Sequence, residues 1–145
     1  KLKDKNLQAL ESEYLKRINF PKLHIHECKG HQENIDLELK ELLNKVDSIK
    51  SKYGNQYVVA MTEHAKTCDS EELSDFIYDV IENQQRGVCF LIGGAAGFPK
   101  SFLKTVDHRL SLSPMTFPHK IARLVLIEQI YRAQTIKQDH PYHKN

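Results

Sequence analysis

The residues best suited to chemistry lie near the end of the chain, in its last apolar segment and in the tail that follows. Glu128 and Arg132 stand four positions apart, a spacing that places them on one face of a helix and favours an ion pair. Such a pair is either structural or part of a site. The tail HPYHK brings His140, Tyr142 and His143 together. Tails are usually frayed and without function, but this aromatic and basic content argues against that interpretation. A metal site is not predicted, because no third ligand stands at a suitable spacing.

A second candidate is the glycine-rich turn LIGGAAG (91–97), which directly follows the most hydrophobic stretch of the chain. Glycines after a buried strand let the backbone approach a ligand closely, and ligands of open α/β sheets bind beyond the carboxyl ends of the strands. The motif is neither GxGxxG nor a phosphate-binding loop that ends in GKS or GKT. On these residues alone, a ligand contact and a simple tight turn are equally supported.

A third candidate is the segment SLSPMTFPH (111–119), in which two prolines fix the backbone on either side of hydroxyl side chains. The second proline suits the start of a helix, where its missing N–H costs nothing. A rigid loop of this kind can hold a planar heterocycle by main-chain hydrogen bonds. It can also be a proline-capped connector, and these residues by themselves slightly favour the connector.

Elements of alternating type must position these segments. Helical periodicity marks 5–18, 35–52, 70–86, 99–108 and 118–137, and strand patterns mark 23–28, 56–62, 88–92 and 109–113. This alternation predicts an α/β domain with a mostly parallel sheet and helices on both faces. Such domains usually start on a strand, whereas the first helix here starts almost at Lys1. We therefore expect one domain over residues 1–145 that lacks a short N-terminal strand.

The composition argues against several classes of protein. A chain of 145 residues with a formal net charge of +2 fits one globular domain and not a highly basic nucleic-acid wrapper. Cys28, Cys68 and Cys89 form no CxxC pair, which argues against a disulfide framework or a zinc ribbon. No apolar run suits a bilayer span and no signal peptide is evident, so the expected location is the cytoplasm. Hydrolase chemistry has little support, since the sequence has no GxSxG elbow.

Taken together, three segments resemble a known family. They are FLIGGAAGF (90–98), LSLSPMTFPHKIARLVLIEQIYRAQTI (110–136) and HPYHK (140–144). Their combination is similar to the ribosomal RNA large-subunit pseudouridine N3-methyltransferase family, which belongs to the SPOUT class of knotted methyltransferases. The similarity is close over these C-terminal segments, and EYLKRI (13–18) with the order of elements extends it to the rest of the chain.

The resemblance implies a fold and a cofactor that the residue patterns alone do not predict. The α/β sheet would include a C-terminal trefoil knot, a rare exception to the rule that chains do not thread loops. The cofactor would be S-adenosyl-L-methionine, bound within the knot. The positions that match the family's cofactor contacts are Met61, Gly94, Ser113, Pro114, Met115, Thr116, Phe117 and Pro118.

The resemblance also implies an acceptor site and partners. The family acts as a homodimer on ribosomal RNA within the ribosome, and each site is completed by the partner's surface. Glu128, Arg132, Tyr142 and His143 match the positions that shape the target-base pocket and are the catalytic candidates. The proton on N3 of the target pseudouridine would pass to His143 or Glu128, directly or through water. No metal and no membrane partner are expected.

Two positions depart from the family's pattern. Ala95 and Ala96 stand where the family often has an acid, and Lys144 stands where it often has arginine. Cofactor binding should survive the first change, because the contacts there are mostly made by the backbone. The second change, lysine for arginine, removes the planar guanidinium that can bind a phosphate through two hydrogen bonds. Two alternatives stay open: a SPOUT methyltransferase acting on another RNA such as tRNA, and a non-catalytic homologue that binds cofactor or RNA. The HPYH tail favours the ribosomal family over the first of these.

Overall fold

The computed structural model describes residues 4–30, 34–94 and 97–144. Along this part of the chain, helices and strands alternate from α2 onward, as the sequence predicts. The elements are α1 (Lys5–Leu15), α2 (Ile35–Tyr53), β1 (Gln56–Met61), α3 (Ser70–Glu82), β2 (Gly87–Ile92), α4 (Lys100–Leu103), β3 (His108–Leu110) and α5 (His119–Lys137).

The central strand β1 positions the others, because both β2 and β3 pair with it in parallel, in the order β2–β1–β3. In this register Met61 pairs with both Ile92 and Leu110. The last residues of the three strands therefore lie side by side, and the segments that follow them leave from the same edge of the sheet. The predicted parallel sheet is confirmed over the described residues.

Helices cover both faces of this sheet, as predicted. Val58 and Val59 are neighbours in β1 but point to opposite faces, since side chains alternate along a strand. On one face the strands pack against α2 and α4, with a core of Val46, Val58, Cys89, Leu91 and Phe102. On the other face they pack against α3 and α5, with a core of Val59, Leu73, Ile77, Tyr78, Leu110 and Ala133.

The N-terminus of α3 is fixed by a reciprocal pair of side chains. Asp69 accepts a hydrogen bond from the Glu72 backbone N–H at 2.7 Å, and the Glu72 carboxylate accepts one from the Asp69 N–H at 3.0 Å. The capping residue is therefore Asp69. Ser70, at which the sequence predicts the helix to open, instead donates its hydroxyl to Gln129 Oε1 at 2.6 Å and so ties α3 to α5.

The strand predicted at 23–28 is wrong. This segment has no partner in the described sheet, and the nearest backbone pairing is an isolated bridge between Asn19 and Lys22. An alternating pattern of side chains suits a strand, but a strand also needs a neighbour with which to pair, and this segment has none in the described sheet. Side-chain contacts hold it instead. The His24 ring stacks on Tyr53 of α2 with 4.8 Å between ring centroids.

The helix predicted at 99–108 is much shorter in the structure. After α4, the Thr105 hydroxyl donates to the Phe102 carbonyl oxygen at 2.7 Å, which offers that carbonyl a partner outside a regular helix. The chain then turns, and His108 already belongs to β3.

Three further expectations concern the whole domain. Within the described ranges, no helix is long and apolar enough to cross a membrane. The trefoil knot that the family resemblance implies stays a prediction, as does the absence of an N-terminal strand.

Candidate active site

The residues predicted to bind the cofactor lie at the carboxyl edge of the sheet. Met61 is the last residue of β1 and packs, half-buried, against the core on the α3–α5 face. Gly94 follows β2, and the segment Ser113–Pro118 follows β3. Ligands of parallel α/β sheets bind at this edge. The fold therefore brings three separate parts of the sequence to one place.

Gly94 has a carboxylate from α2 beside its backbone. Among the described residues, a Cβ atom added there would have the Glu38 carboxylate as its nearest neighbour, with Oε2 at 3.4 Å and Oε1 at 3.9 Å. Gly97 closes the turn by donating its N–H to the Gly94 carbonyl oxygen at 2.9 Å, with a φ of 69° that favours glycine. Ala95 and Ala96, which depart from the family's pattern, lie outside the described residues.

The loop after β3 is held by its own hydroxyl groups. Ser111 Oγ donates to the Ser113 carbonyl oxygen at 2.8 Å and accepts from the Ser113 N–H at 3.1 Å. The Ser113 hydroxyl in turn accepts from the Met115 N–H at 3.0 Å. These local bonds curl the chain out of the sheet. The predicted strand therefore stops at Leu110 and does not reach Ser113.

The outer part of this loop is open to solvent. Pro114, Met115 and Thr116 are exposed, Met115 to 72%, whereas Phe117 is half-buried. Pro118 caps α5, and its carbonyl oxygen starts the hydrogen bonding of that helix. A loop that is fixed from inside and open on its outer side suits main-chain recognition of a planar ring.

Glu128 and Arg132 form the ion pair that their spacing predicts. Arg132 Nη2 donates to Glu128 Oε2 at 2.8 Å, and the two side chains are only 25% and 19% exposed. Gln129 Nε2 also donates to the Glu128 carboxylate, at 2.8 Å, and Ser70 of α3 holds Gln129. The hydrogen bond that Arg132 donates to Glu128 raises the pKa of Arg132. The pair is therefore fixed to a neighbouring helix and permanently charged on the arginine side.

The tail returns to this pair. The Tyr142 hydroxyl donates to Glu128 Oε2 at 2.9 Å, and the Arg132 guanidinium lies over the Tyr142 ring, 4.8 Å from its centroid. His143 Nδ1 lies 3.1 Å from Arg132 Nη1, and its Nε2 is 3.9 Å from a carboxylate oxygen of Glu71. The four predicted catalytic candidates thus form one connected group, called here the tail network: Glu128, Arg132, Tyr142 and His143.

Donors and acceptors constrain the hydrogen bonds of the tail network. Arginine has only N–H donors, so its contact makes Nδ1 of His143 the acceptor and leaves the ring proton on Nε2. Burial, and then hydrogen bonds with Tyr14 and Glu128, raise the pKa of the Tyr142 phenol. The network therefore presents a neutral phenol, a flat cation and an imidazole whose Nδ1 faces that cation.

The remaining tail histidine shapes the local backbone. His140 Nδ1 accepts a hydrogen bond from the Tyr142 backbone N–H at 3.2 Å, which shapes the turn of the tail. Within 4–30, 34–94 and 97–144, no group of three or more His, Cys, Asp and Glu side chains could hold a metal ion.

The loop and the tail network adjoin different parts of α5. Pro118 caps the start of the helix, and Glu128 lies ten residues further, about 15 Å along the axis. Arg132 lies about 20 Å from the start by the same rise per residue. One helix therefore connects the strand-edge residues to the tail network.

Comparisons with known proteins identify the family. The family model described as "Predicted SPOUT methyltransferase" matches residues 1–143. The chain belongs to the SPOUT methyltransferase family. The resemblance carried by the glycine turn, the proline loop and the tail is thereby confirmed.

Curated relatives of this SPOUT methyltransferase share one name. The ribosomal RNA large subunit methyltransferase H of Clostridioides difficile (strain 630) is 38% identical over 154 residues, covering 99% of this chain and 94% of that protein. The protein of the same name from Clostridium botulinum (strain Eklund 17B / Type B) is 40% identical with the same coverage. That of Nitratidesulfovibrio vulgaris (strain DP4) is 49% identical over 86 residues, 59% of this chain.

Some contacts in this SPOUT methyltransferase were not predicted from the sequence. Tyr14 of α1 hydrogen-bonds to Tyr142 and packs on Tyr131, with 5.9 Å between ring centroids. The ring of Tyr131 meets that of Tyr142 edge-on at 4.8 Å. The only signal for Tyr14 was its place in the family-like segment EYLKRI. Gln129 and Ser70 carried no signal at all, because their contact joins positions far apart in the chain.

Proposed function

We propose that this protein transfers a methyl group to N3 of a pseudouridine in 23S ribosomal RNA of the assembled ribosome, in the cytoplasm. The observation that carries the proposal is the tail network, in which the HPYHK tail and α5 form one polar group. Membership of the SPOUT family supports methyl transfer, and the relatives' shared name supports ribosomal RNA of the large subunit as the acceptor.

The methyl donor that we propose is S-adenosyl-L-methionine, which supplies an electrophilic methyl group on a sulfonium when bound. Two features of the strand edge support this choice: Gly94 has no side chain to block an approach to its backbone, and the outer part of the loop beyond β3 is exposed. The backbones of Gly94 and Ser113–Pro118 would hold adenine and ribose, and Met61 would border the site from the sheet. Methyl transfer depends above all on alignment, which fixed backbone supplies.

The tail network would hold the target base. A flipped base can stack on a flat guanidinium or a phenol ring and be read along its edge by hydrogen bonds. N3 of pseudouridine lies between two carbonyl groups, for which N–H donors are suitable partners. His143 Nε2–H is such a donor, because Arg132 holds Nδ1 as the acceptor. We infer that the network orients the base by donating to it.

Loss of the N3 proton requires the network to change. The Glu128 carboxylate already accepts hydrogen bonds from Arg132, Gln129 and Tyr142, so a bound base would have to displace one of these contacts to reach it. His143 can accept a proton at Nε2 only if its ring proton moves to Nδ1, where it would face an Arg132 N–H. Either candidate base must therefore give up a present contact when the base is bound.

We propose that the working unit is a homodimer that packs through α5. Ile121 and Val125 stand four positions apart on one side of this helix, exposed to 37% and 36%. Burial of these side chains would remove apolar surface from water. A second copy would also bring a further tail network to the assembly. A molar mass of twice the 16.8 kDa chain, measured by light scattering, tests this state.

Labelled methyl transfer tests the function. The full chain is incubated with methyl-labelled S-adenosyl-L-methionine and with ribosomes that carry unmethylated pseudouridine. We expect label in the large-subunit RNA and none in ribosomes that are already methylated. Transfer to tRNA alone would instead favour another SPOUT specificity. Cofactor binding without transfer to any RNA would identify a non-catalytic homologue.

A further inference from the structure

Three tyrosine rings from separate parts of the chain meet beside the tail network. The centroid of the Tyr14 ring in α1 lies 5.9 Å from that of Tyr131 in α5, and Tyr131 meets Tyr142 of the tail edge-on at 4.8 Å. Tyr131 is buried, and with Ile18 and Ile127 it forms an apolar cluster against which both other tyrosines pack. The ring of Tyr142 is therefore seated where α1 meets α5.

The hydroxyl group of Tyr142 is held from two sides. It donates a hydrogen bond to Glu128 Oε2 of α5 at 2.9 Å, and the side chain of Tyr14 is hydrogen-bonded to it from α1. The Arg132 guanidinium covers the same ring, 4.8 Å from its centroid. Tyr14 therefore contacts a tail residue that touches both members of the ion pair.

Other contacts attach α1 to α5 without the help of the Tyr14 hydroxyl group. Arg123 of α5 donates to the Glu11 carboxylate of α1 at 2.6 Å. The buried Gln134 side chain of α5 accepts a hydrogen bond from the Asn19 N–H, just beyond α1, at 2.8 Å. What the hydroxyl group of Tyr14 adds to this attachment is a contact with the tail.

We propose that Tyr14 is a positioning residue of the acceptor site, which fixes the orientation of Tyr142 within the tail network. The assignment rests on the proposed function, in which that network holds the target base. Chain ends are poorly ordered unless they are tied down, and here a helix from the other end of the chain helps to tie the tail. Methyl transfer depends on alignment, so a Tyr142 ring that turned away from Glu128 would slow the transfer step.

Tyr14→Phe tests the assignment, because it keeps the ring and removes the hydrogen bond. In single-turnover methyl transfer to ribosomes that carry unmethylated pseudouridine, we expect the rate to fall roughly 3- to 10-fold. Tyr142→Phe removes the partner hydroxyl group, so adding Tyr14→Phe to it should cause little further loss. Tyr53→Phe, whose ring in α2 stacks on His24, is the matched control and should keep the wild-type rate. The Kd for S-adenosyl-L-methionine, measured by calorimetry, should be the same in every variant.

The NMR resonance of the phenol carbon Cζ of Tyr142 provides a second measurement, which needs no RNA. It is assigned in protein that is isotope-labelled on tyrosine, by its loss in Tyr142→Phe. We expect this resonance to shift in Tyr14→Phe and to stay in place in Tyr53→Phe, because only the first variant removes a contact with Tyr142.

The outcomes separate the alternatives. An unchanged transfer rate or an unchanged resonance in Tyr14→Phe would each overturn the assignment. An equal loss of rate with and without the Tyr142 hydroxyl group would also overturn it and leave Tyr14 a structural residue of α1. If the wild-type chain methylated no RNA while the resonance still responded to Tyr14→Phe, the proposed function would be wrong and the acceptor-site role with it, but the contact that orients Tyr142 would be confirmed.

Discussion

Arg132→Lys tests the tail network most sharply, because it keeps the charge and removes the planar fork. In the structure Arg132 reaches Glu128 through Nη2 at 2.8 Å and His143 through Nη1 at 3.1 Å, and it covers the ring of Tyr142. A lysine ammonium can keep the contact with Glu128 but cannot reproduce the other two at the same time.

The expected loss follows from these contacts. Loss of the hydrogen bond to His143 costs about 1 kcal/mol, and loss of the contact over the Tyr142 ring about 0.5–1 kcal/mol. Together they amount to about 1.5–2 kcal/mol, or roughly 10- to 30-fold in the rate of methyl transfer. Cofactor affinity should stay within about twofold, because the residues proposed to bind it lie at the strand edge rather than in the network.

Arg123→Lys provides the matched control on the same helix. Arg123 binds Glu11 of α1 at 2.6 Å and Glu27 at 3.6 Å, outside the tail network. It should lose stability, measured by urea unfolding, but transfer methyl groups to ribosomes at close to the wild-type rate. Equal rates for the Arg132 and Arg123 variants would refute the reasoning, as would a loss of cofactor affinity that accounts for the whole effect in Arg132→Lys.

Three further predictions follow from other parts of the molecule. Gly94→Leu should abolish cofactor binding by filling the space beside the turn, whereas Gly30→Leu, where no described atom lies within 4 Å of an added Cβ, should bind normally in calorimetry. Deleting residues 140–145 should abolish methyl transfer and spare cofactor binding, and persistent activity would make the tail assignment wrong. Burial raises the pKa of Tyr78 from 10.0 to about 12, so the neutral phenol stabilises the fold below pH 10, and this stability is lost as the pH rises to about 12. Urea unfolding at pH 9 and pH 11 should therefore show a larger loss for the wild type than for Tyr78→Phe, and equal losses would contradict this origin.

The sequence predicts elements best where a pattern has one physical meaning. The apolar run 88–92 is short and is followed directly by glycines, which favours a strand, and it forms β2. The i, i+4 spacing of Glu128 and Arg132 brings them into contact within a helix. The alternation of apolar and polar residues at 23–28 is compatible with two structures, a strand that pairs with a neighbour or an irregular segment held by side-chain contacts. The structure takes the second, with His24 stacked on Tyr53.

The candidate site also has a part that the sequence predicts and a part that it does not. Its residues were identified by resemblance, and the fold explains why they are grouped, since the three strands end at one edge. The neighbours that fix them were not predictable, because they come from distant helices: Tyr14 from α1, Ser70 from α3 and Glu38 from α2. No periodicity along the chain reports which side chains of separate helices meet.

Nucleoside analysis of the acceptor RNA tests the central claim most directly. Ribosomes that lack the modification are incubated with the wild-type chain and S-adenosyl-L-methionine, and the 23S RNA is digested and examined by mass spectrometry. We expect pseudouridine methylated at N3 to appear with the wild type, and its rate of formation to fall roughly 10- to 30-fold with Arg132→Lys. A methyl group on any other atom or nucleoside, or none at all while the chain binds its cofactor, would contradict it.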